Sequence, residues 1–176
     1  MNLSSCYLFK GLSDSHIDRL EAIASKHSVQ EGQWLFHKDE PAERLYILES
    51  GAVELLIEVQ GSIEFPVFTV ESGAVESLIG GREPVEIPTT MIKSGNGCVG
   101  IGSLIEPYRY SLSARCARES TLFVISRAEI QHLFLQHPEL GCCVMTNLAG
   151  KLLERLNETR REVQIHFMSL FRSATF

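Results

Sequence analysis

Nine residues, Glu-Ser-Gly-Ala-Val-Glu-Leu-Leu-Ile at 49–57, return 22 positions later as Glu-Ser-Gly-Ala-Val-Glu-Ser-Leu-Ile at 71–79, eight of the nine identical. Extending the match pairs Glu64 with Glu86 and Pro66 with Pro88, so a strand-turn-strand unit is repeated in tandem over 49–70 and 71–92. In the first copy Val53, Leu55, Ile57 and Val59 alternate with Glu54 and Glu58, the period of a half-buried strand. Because the offset is even, the extra copy leaves the in-and-out alternation of the flanking strands unchanged. Glycines at 51, 61, 73, 80, 81, 95 and 97 punctuate this region as short strands and hairpins require. The repeat predicts an added hairpin with its turn at Gly80-Gly81.

The period changes at both ends of the chain. Ile17, Leu20 and Ile23 behind a Ser13/Asp14 cap predict a short amphipathic helix over 13–25 that packs on the barrel. After a strand at Leu122–Ile125, Ser126-Arg127-Ala128-Glu129 reads as a capping box opening a second helix, which Pro138 ends before a third begins. On that long helix Met145, Ala149, Leu152, Leu156, Thr159, Val163, His166 and Leu170 recur at steps of four and three, a coiled-coil seam that predicts a homodimer. Leu148 and Leu153 widen its apolar face, and the apolar tail through Phe167, Met168, Leu170, Phe171 and Phe176 is expected to fold back or dock. The division that follows is a strand-rich segment with its N-terminal helix over 1–138, then a long helix and tail over 139–176.

At 176 residues the chain is about one domain, and its net charge of −6, with basic residues scattered among acidic ones, gives no broad surface for a nucleic-acid duplex. Cys6, Cys98, Cys116, Cys142 and Cys143 are odd in number and lack a Cys-x-x-Cys spacing, which suits free thiols in a reducing cytoplasm and gives no structural zinc. Adjacent Cys142 and Cys143 point about 100° apart on a helix and read as small buried residues. No apolar run approaches a membrane span, and the first residues carry no signal segment. The six histidines include no His-x-His, no nucleophile elbow or Walker loop is present, and catalysis has no visible machinery, so neither a metal nor an enzyme activity is expected. His166 on the seam is a candidate pH sensor.

Residues 100–116 are the candidate ligand turn. Gly100 and Gly102 remove two β-carbons within three residues, so backbone N–H groups can approach an anion, although a tight turn between strands accounts for most such pairs. Four segments in order, Tyr-Leu-Phe-Lys-Gly-Leu-Ser-Asp (7–14), Trp-Leu-Phe-His through Ser-Gly-Ala-Val (34–53), the 100–116 turn and Ile-Ser-Arg-Ala-Glu-Ile to His-Pro-Glu-Leu (125–140), resemble cyclic nucleotide-binding domains, the sensor half of catabolite-activator and FNR-type regulators. The resemblance implies a mostly β fold with flanking α elements: a double-stranded β-helix, or jelly-roll-like β-roll, with a short N-terminal helix and a long C-terminal dimerisation helix. Removing 71–92 restores the spacing usual for that family.

The resemblance also implies a phosphate-binding cassette formed by Gly100, Ile101, Gly102, Ser103, Arg109, Tyr110, Ser111 and Ser113, with Arg155 a candidate contact from the long helix. The family's ribose-holding glutamate and phosphate-pairing arginine fall on Ile101 and Tyr110, and Arg109 sits one residue early. A lost charge-assisted phosphate contact costs roughly 1.5–3 kcal/mol, and the lost ribose acceptor adds to it. The expected function is a non-catalytic regulatory module with weak or altered binding of cyclic AMP, cyclic GMP or another small phosphate-containing ligand, signalling through a protein partner. The alternatives are a ligand-free interaction scaffold in which Ile101 and Tyr110 close the pocket, and a metal-dependent barrel enzyme. The helix-turn-helix of the family's transcription regulators has no counterpart before Phe176.

Overall fold

A computed structural model describes residues 3–59, 85–93 and 97–173, with the backbone alone at 59, 85, 166 and 169–173. The chain divides into two compact units, Ser25–Arg127 and the pair Met1–Ala24 with Ala128–Phe176.

Among the described residues the first unit holds eight strands: β1 (Ser25–Val29), β2 (Trp34–Phe36), β3 (Arg44–Ser50), β4 (Ala52–Val59), β5 (Val85–Lys93), β6 (Cys98–Val99), β7 (Ser113–Cys116) and β8 (Ser120–Ser126). They form two four-stranded sheets, in the orders β1-β8-β3-β6 and β2-β7-β4-β5, with every pairing antiparallel. This is the β-roll that the resemblance implies. Inward-facing residues of both sheets, Tyr46, Leu48, Leu122 and Val124 from one and Phe36, Val53, Leu55, Ala114 and Cys116 from the other, make one apolar core. The period-two rule holds on β7, where Ala114 and Cys116 join that core while Arg115 pairs with Glu54 across the other face. At the corner between β3 and β4, Gly51 has φ +100° and a β-carbon there would lie 2.3 Å from Ser120 Oγ, so no larger residue fits the turn.

The repeat contributes to the second sheet across its two copies. β4 lies in the first copy, and β5, its hairpin partner, is the closing arm of the second, with Val53 opposite Ile92 and Leu56 opposite Pro88. The register shifts between Leu55 and Leu56, a bulge that admits Pro88 where a regular ladder would call for a donor. Residues 60–84, which carry Gly80-Gly81, where the turn is expected, and the whole second copy of the nine-residue motif, lie outside the described residues.

In the second unit α1 (Asp14–Ile23), α2 (Arg127–Gln136, its first residue counted with the roll) and α3 (Pro138–Ser173) follow the expected breaks. Ser13 stands at the N-cap of α1, but its hydroxyl meets Ser15 Oγ at 3.0 Å and not the helix backbone. Pro138 opens α3 at the first helical position, where its missing N–H is harmless. Leu140, Val144 and Leu148 at steps of four form the buried face of α3, and Asn147 Nδ2 between them donates to the carbonyls of Leu8 (2.9 Å) and Lys10 (2.8 Å), tying the N-terminal segment to the helix. Cys6, Cys98 and Cys116 are buried thiols. The expectation that Cys142 and Cys143 are core residues is corrected: Cys142 is exposed and Cys143 half-buried, because the buried stripe of α3 passes through Leu140, Val144 and Leu148. Among the described residues no helix is long and apolar enough to cross a membrane.

Candidate functional site

Gly100 adopts φ +82°, and Ile101–Leu104 then makes a single turn of tight helix. Both glycines answer to packing. A β-carbon on Gly100 would lie 2.6 Å from the Arg44 carbonyl oxygen and 3.3 Å from the rings of Tyr110 and Tyr46. One on Gly102 would lie 2.3 Å from the Arg109 carbonyl oxygen. Ser103 is fully buried and turns its hydroxyl inward, donating to the Gly100 carbonyl at 2.8 Å. Ile101 is half-buried. The turn from 100 to 104 therefore carries no charged side chain, and its small residues let three backbone segments meet.

Residues 108–110 run back against 39–42. Ala42 N–H donates to the Tyr108 carbonyl (2.7 Å), Asp39 N–H to that of Tyr110 (2.8 Å) and Tyr110 N–H to that of Glu40 (3.1 Å). Arg109, opposite Pro41 in this pairing, is exposed and donates from its guanidinium to the Asp39 carbonyl at 2.5 Å. Alternation then sends Tyr110 inward, where it is 5 % exposed. Its ring stacks on Phe36 at 3.7 Å between centroids and 16° between planes. Its hydroxyl donates to the Arg44 carbonyl (3.0 Å) and accepts from the Arg44 N–H (3.2 Å), so the phenol is fully satisfied by backbone.

Burial pushes the Tyr110 hydroxyl up to about 12, and raises that of Tyr46 as well. A phenol with a folded pKa above its unfolded value near 10 contributes stability that is complete below pH 10 and is lost as pH rises toward 12. An alkaline titration followed by phenolate absorbance is expected to show a late step that coincides with loss of the folded state, and Tyr110→Phe is expected to reduce its amplitude, leaving the contribution of Tyr46. Completion of the wild-type titration near the ordinary tyrosine value, with the fold retained, would contradict this placement.

Ser111 is exposed, whereas Ser113 is buried on β7 and accepts from the Lys38 N–H at 2.8 Å while donating to the Glu58 carboxylate. That hydrogen bond first, and then His37 with its Nδ1 at 3.4 Å, hold the Glu58 carboxyl below its usual range. Arg155 is half-buried on α3, in the other unit from the cassette. The structure thus brings Gly100, Gly102, Arg109 and Tyr110 together and adds partners that motif spacing could not reveal: Phe36 and the Arg44 backbone for Tyr110, the Asp39 carbonyl for Arg109, Glu58 and the Lys38 amide for Ser113. Each is separated from its partner by dozens of residues of non-local strand pairing.

Solved structures of bacterial proteins share this fold. A protein of Geobacter metallireducens GS-15 assigned as cyclic nucleotide-binding superposes with a TM-score of 0.64 at 23% identity, over 88% of this chain and 96% of its own. The catabolite activator protein of Thermus thermophilus gives 0.66 at 22% identity, over 90% of this chain and 62% of its own. The c-di-GMP responsive global regulator CLP of Xanthomonas campestris gives 0.62 at 21% identity, over 86% and 63%. The chain therefore spans less than two thirds of the last two proteins, and at these identities the likeness is one of fold. No protein-family model and no curated protein matches the sequence.

Proposed function

We propose that this chain, which has the fold of cyclic nucleotide-binding regulators, is a non-catalytic sensor-type module whose cassette binds cyclic nucleotides weakly or not at all and whose output passes through another protein. The observation that carries this reading is Tyr110. The position where the family places its phosphate-pairing arginine holds a buried ring, stacked on Phe36 and hydrogen-bonded at both ends of the Arg44 peptide unit. Ile101 offers no acceptor to a ribose hydroxyl, and Arg109 is engaged with the Asp39 carbonyl. The loss of one charge-assisted contact alone corresponds to roughly 10- to 150-fold in affinity, before the ribose contact is counted.

Titration calorimetry of the purified chain against cyclic AMP, cyclic GMP and c-di-GMP is expected to give no heat, or dissociation constants orders of magnitude weaker than a functional cassette provides. A sub-micromolar constant for any of the three would overturn the proposal. Protein rather than DNA is the proposed output partner, since the net charge of −6 opposes binding to a polyanion.

The proposal includes a homodimer through α3. Met145, Leu152, Leu156 and Val163 of the seam are 37%, 39%, 47% and 60% exposed, and Ala149 and Thr159 between them are exposed too. A stripe of this length left in water on a monomer is an apolar liability, and a twofold partner offering the same stripe would cover it. The exposure of Ile165, Phe167 and Met168 widens the stripe toward the end of the helix and also favours the alternative of a ligand-free interaction scaffold. Of His166, only the backbone is described.

A further inference from the structure

We propose that His16, His137 and Glu139 form a divalent transition-metal site, suited to Zn2+, that joins the first turn of α1 to the junction of α2 and α3. His16 Nε2 lies 3.2 Å and His137 Nδ1 3.6 Å from the same carboxylate oxygen, Oε1 of Glu139. All three ligand atoms fall within 4.8 Å of one another, and this is the one such group among the described residues. With metal–nitrogen and metal–oxygen bonds of about 2.0–2.2 Å, a tetrahedral ion sets its ligands about 3.3–3.6 Å apart, so two of the three edges already have the required length. The third closes by rotation of the imidazoles, whose ring centroids stand 6.1 Å apart with the planes tilted at 53°.

The backbone holds these groups in place. His137 is the single residue between Gln136 and Pro138; its N–H donates to the Leu133 carbonyl (2.9 Å), and its own carbonyl accepts from Leu140 (3.0 Å) and Gly141 (3.2 Å). His16 donates its N–H to the Ser13 carbonyl at 2.9 Å, and Glu139 is the second residue of α3. Little ordering is left for an ion to impose. The histidine side chains are 20% and 24% exposed, whereas Glu139 is 61% exposed, so a fourth position can be filled by water from the carboxylate side. Two imidazoles with one carboxylate are the borderline nitrogen and oxygen donors that zinc accepts.

The test uses the full chain and Zn2+ alone, with Co2+ as a spectroscopic probe. Calorimetry is expected to give one ion per chain and a higher midpoint of thermal unfolding with Zn2+ present, because the ion binds the folded arrangement. His16→Ala and His137→Ala should each weaken binding at least about tenfold, Glu139→Gln should weaken it too, and Cys142→Ser with Cys143→Ser should leave it unchanged. Should a histidine variant fail to fold, the wild-type Co2+ spectrum decides: visible bands without thiolate charge transfer support the site, and a thiolate band overturns it. No Zn2+ binding at sub-millimolar concentration, or binding that survives loss of both histidines, also overturns it. None of these readouts involves a cyclic nucleotide, so they stand or fall apart from the proposed function.

Discussion

Tyr110→Ala is expected to lower the stability of the Ser25–Arg127 unit by about 3–5 kcal/mol, the range for deleting a large buried aromatic ring. The loss has two sources. The ring leaves a cavity beside Phe36 and Gly100, and Gly100 has no side chain to help fill it. The Arg44 N–H and carbonyl, whose hydrogen bonds to the phenol are partly buried, then lose that shared partner. Tyr110→Phe, which keeps the stack and removes only the hydroxyl, should cost about 1–2 kcal/mol. Chemical denaturation of the three proteins gives the order directly, and equal stabilities would show that Tyr110 is peripheral. Tyr110→Arg restores the charge that the family uses but puts a guanidinium into the slot the ring now fills. Any gain in cyclic nucleotide affinity in Tyr110→Arg with Ile101→Glu is therefore expected to come with a loss of stability.

Leu152→Glu is expected to convert the proposed dimer to a monomer. Each seam contact occurs twice about a twofold axis, so removing one leucine removes two. At about 1.5–3 kcal/mol for each buried leucine the change amounts to about 3–6 kcal/mol, roughly 10²–10⁴ in the dissociation constant, before the two carboxylates repel each other. Leu152 is 39% exposed in the single chain, so the folded monomer should tolerate the substitution. Sedimentation velocity of both proteins reads the outcome, and a wild-type chain that sediments as a monomer would remove the seam from the proposal.

The sequence alone determined those features that depend on short-range periodicity. Alternation along 53–59 placed β4, the Ser126 to Glu129 pattern and Pro138 placed the breaks around α2 and α3, and steps of four and three marked the exposed stripe of α3. The four ordered segments pointed to the roll, which the two four-stranded sheets and the superposed regulators bear out. What the tertiary structure decided is every relation between residues far apart in the chain. That Gly100 and Gly102 make room for the Arg44 and Arg109 carbonyls, that the closing strand for β4 comes from the second copy of the repeat, and that His16 lies beside His137 leave no trace at local spacing. Periodicity records which face of an element is apolar, because burial acts on each residue through its own strand or helix. Which partner covers that face is set by long-range pairing and close packing, which are properties of the folded chain as a whole.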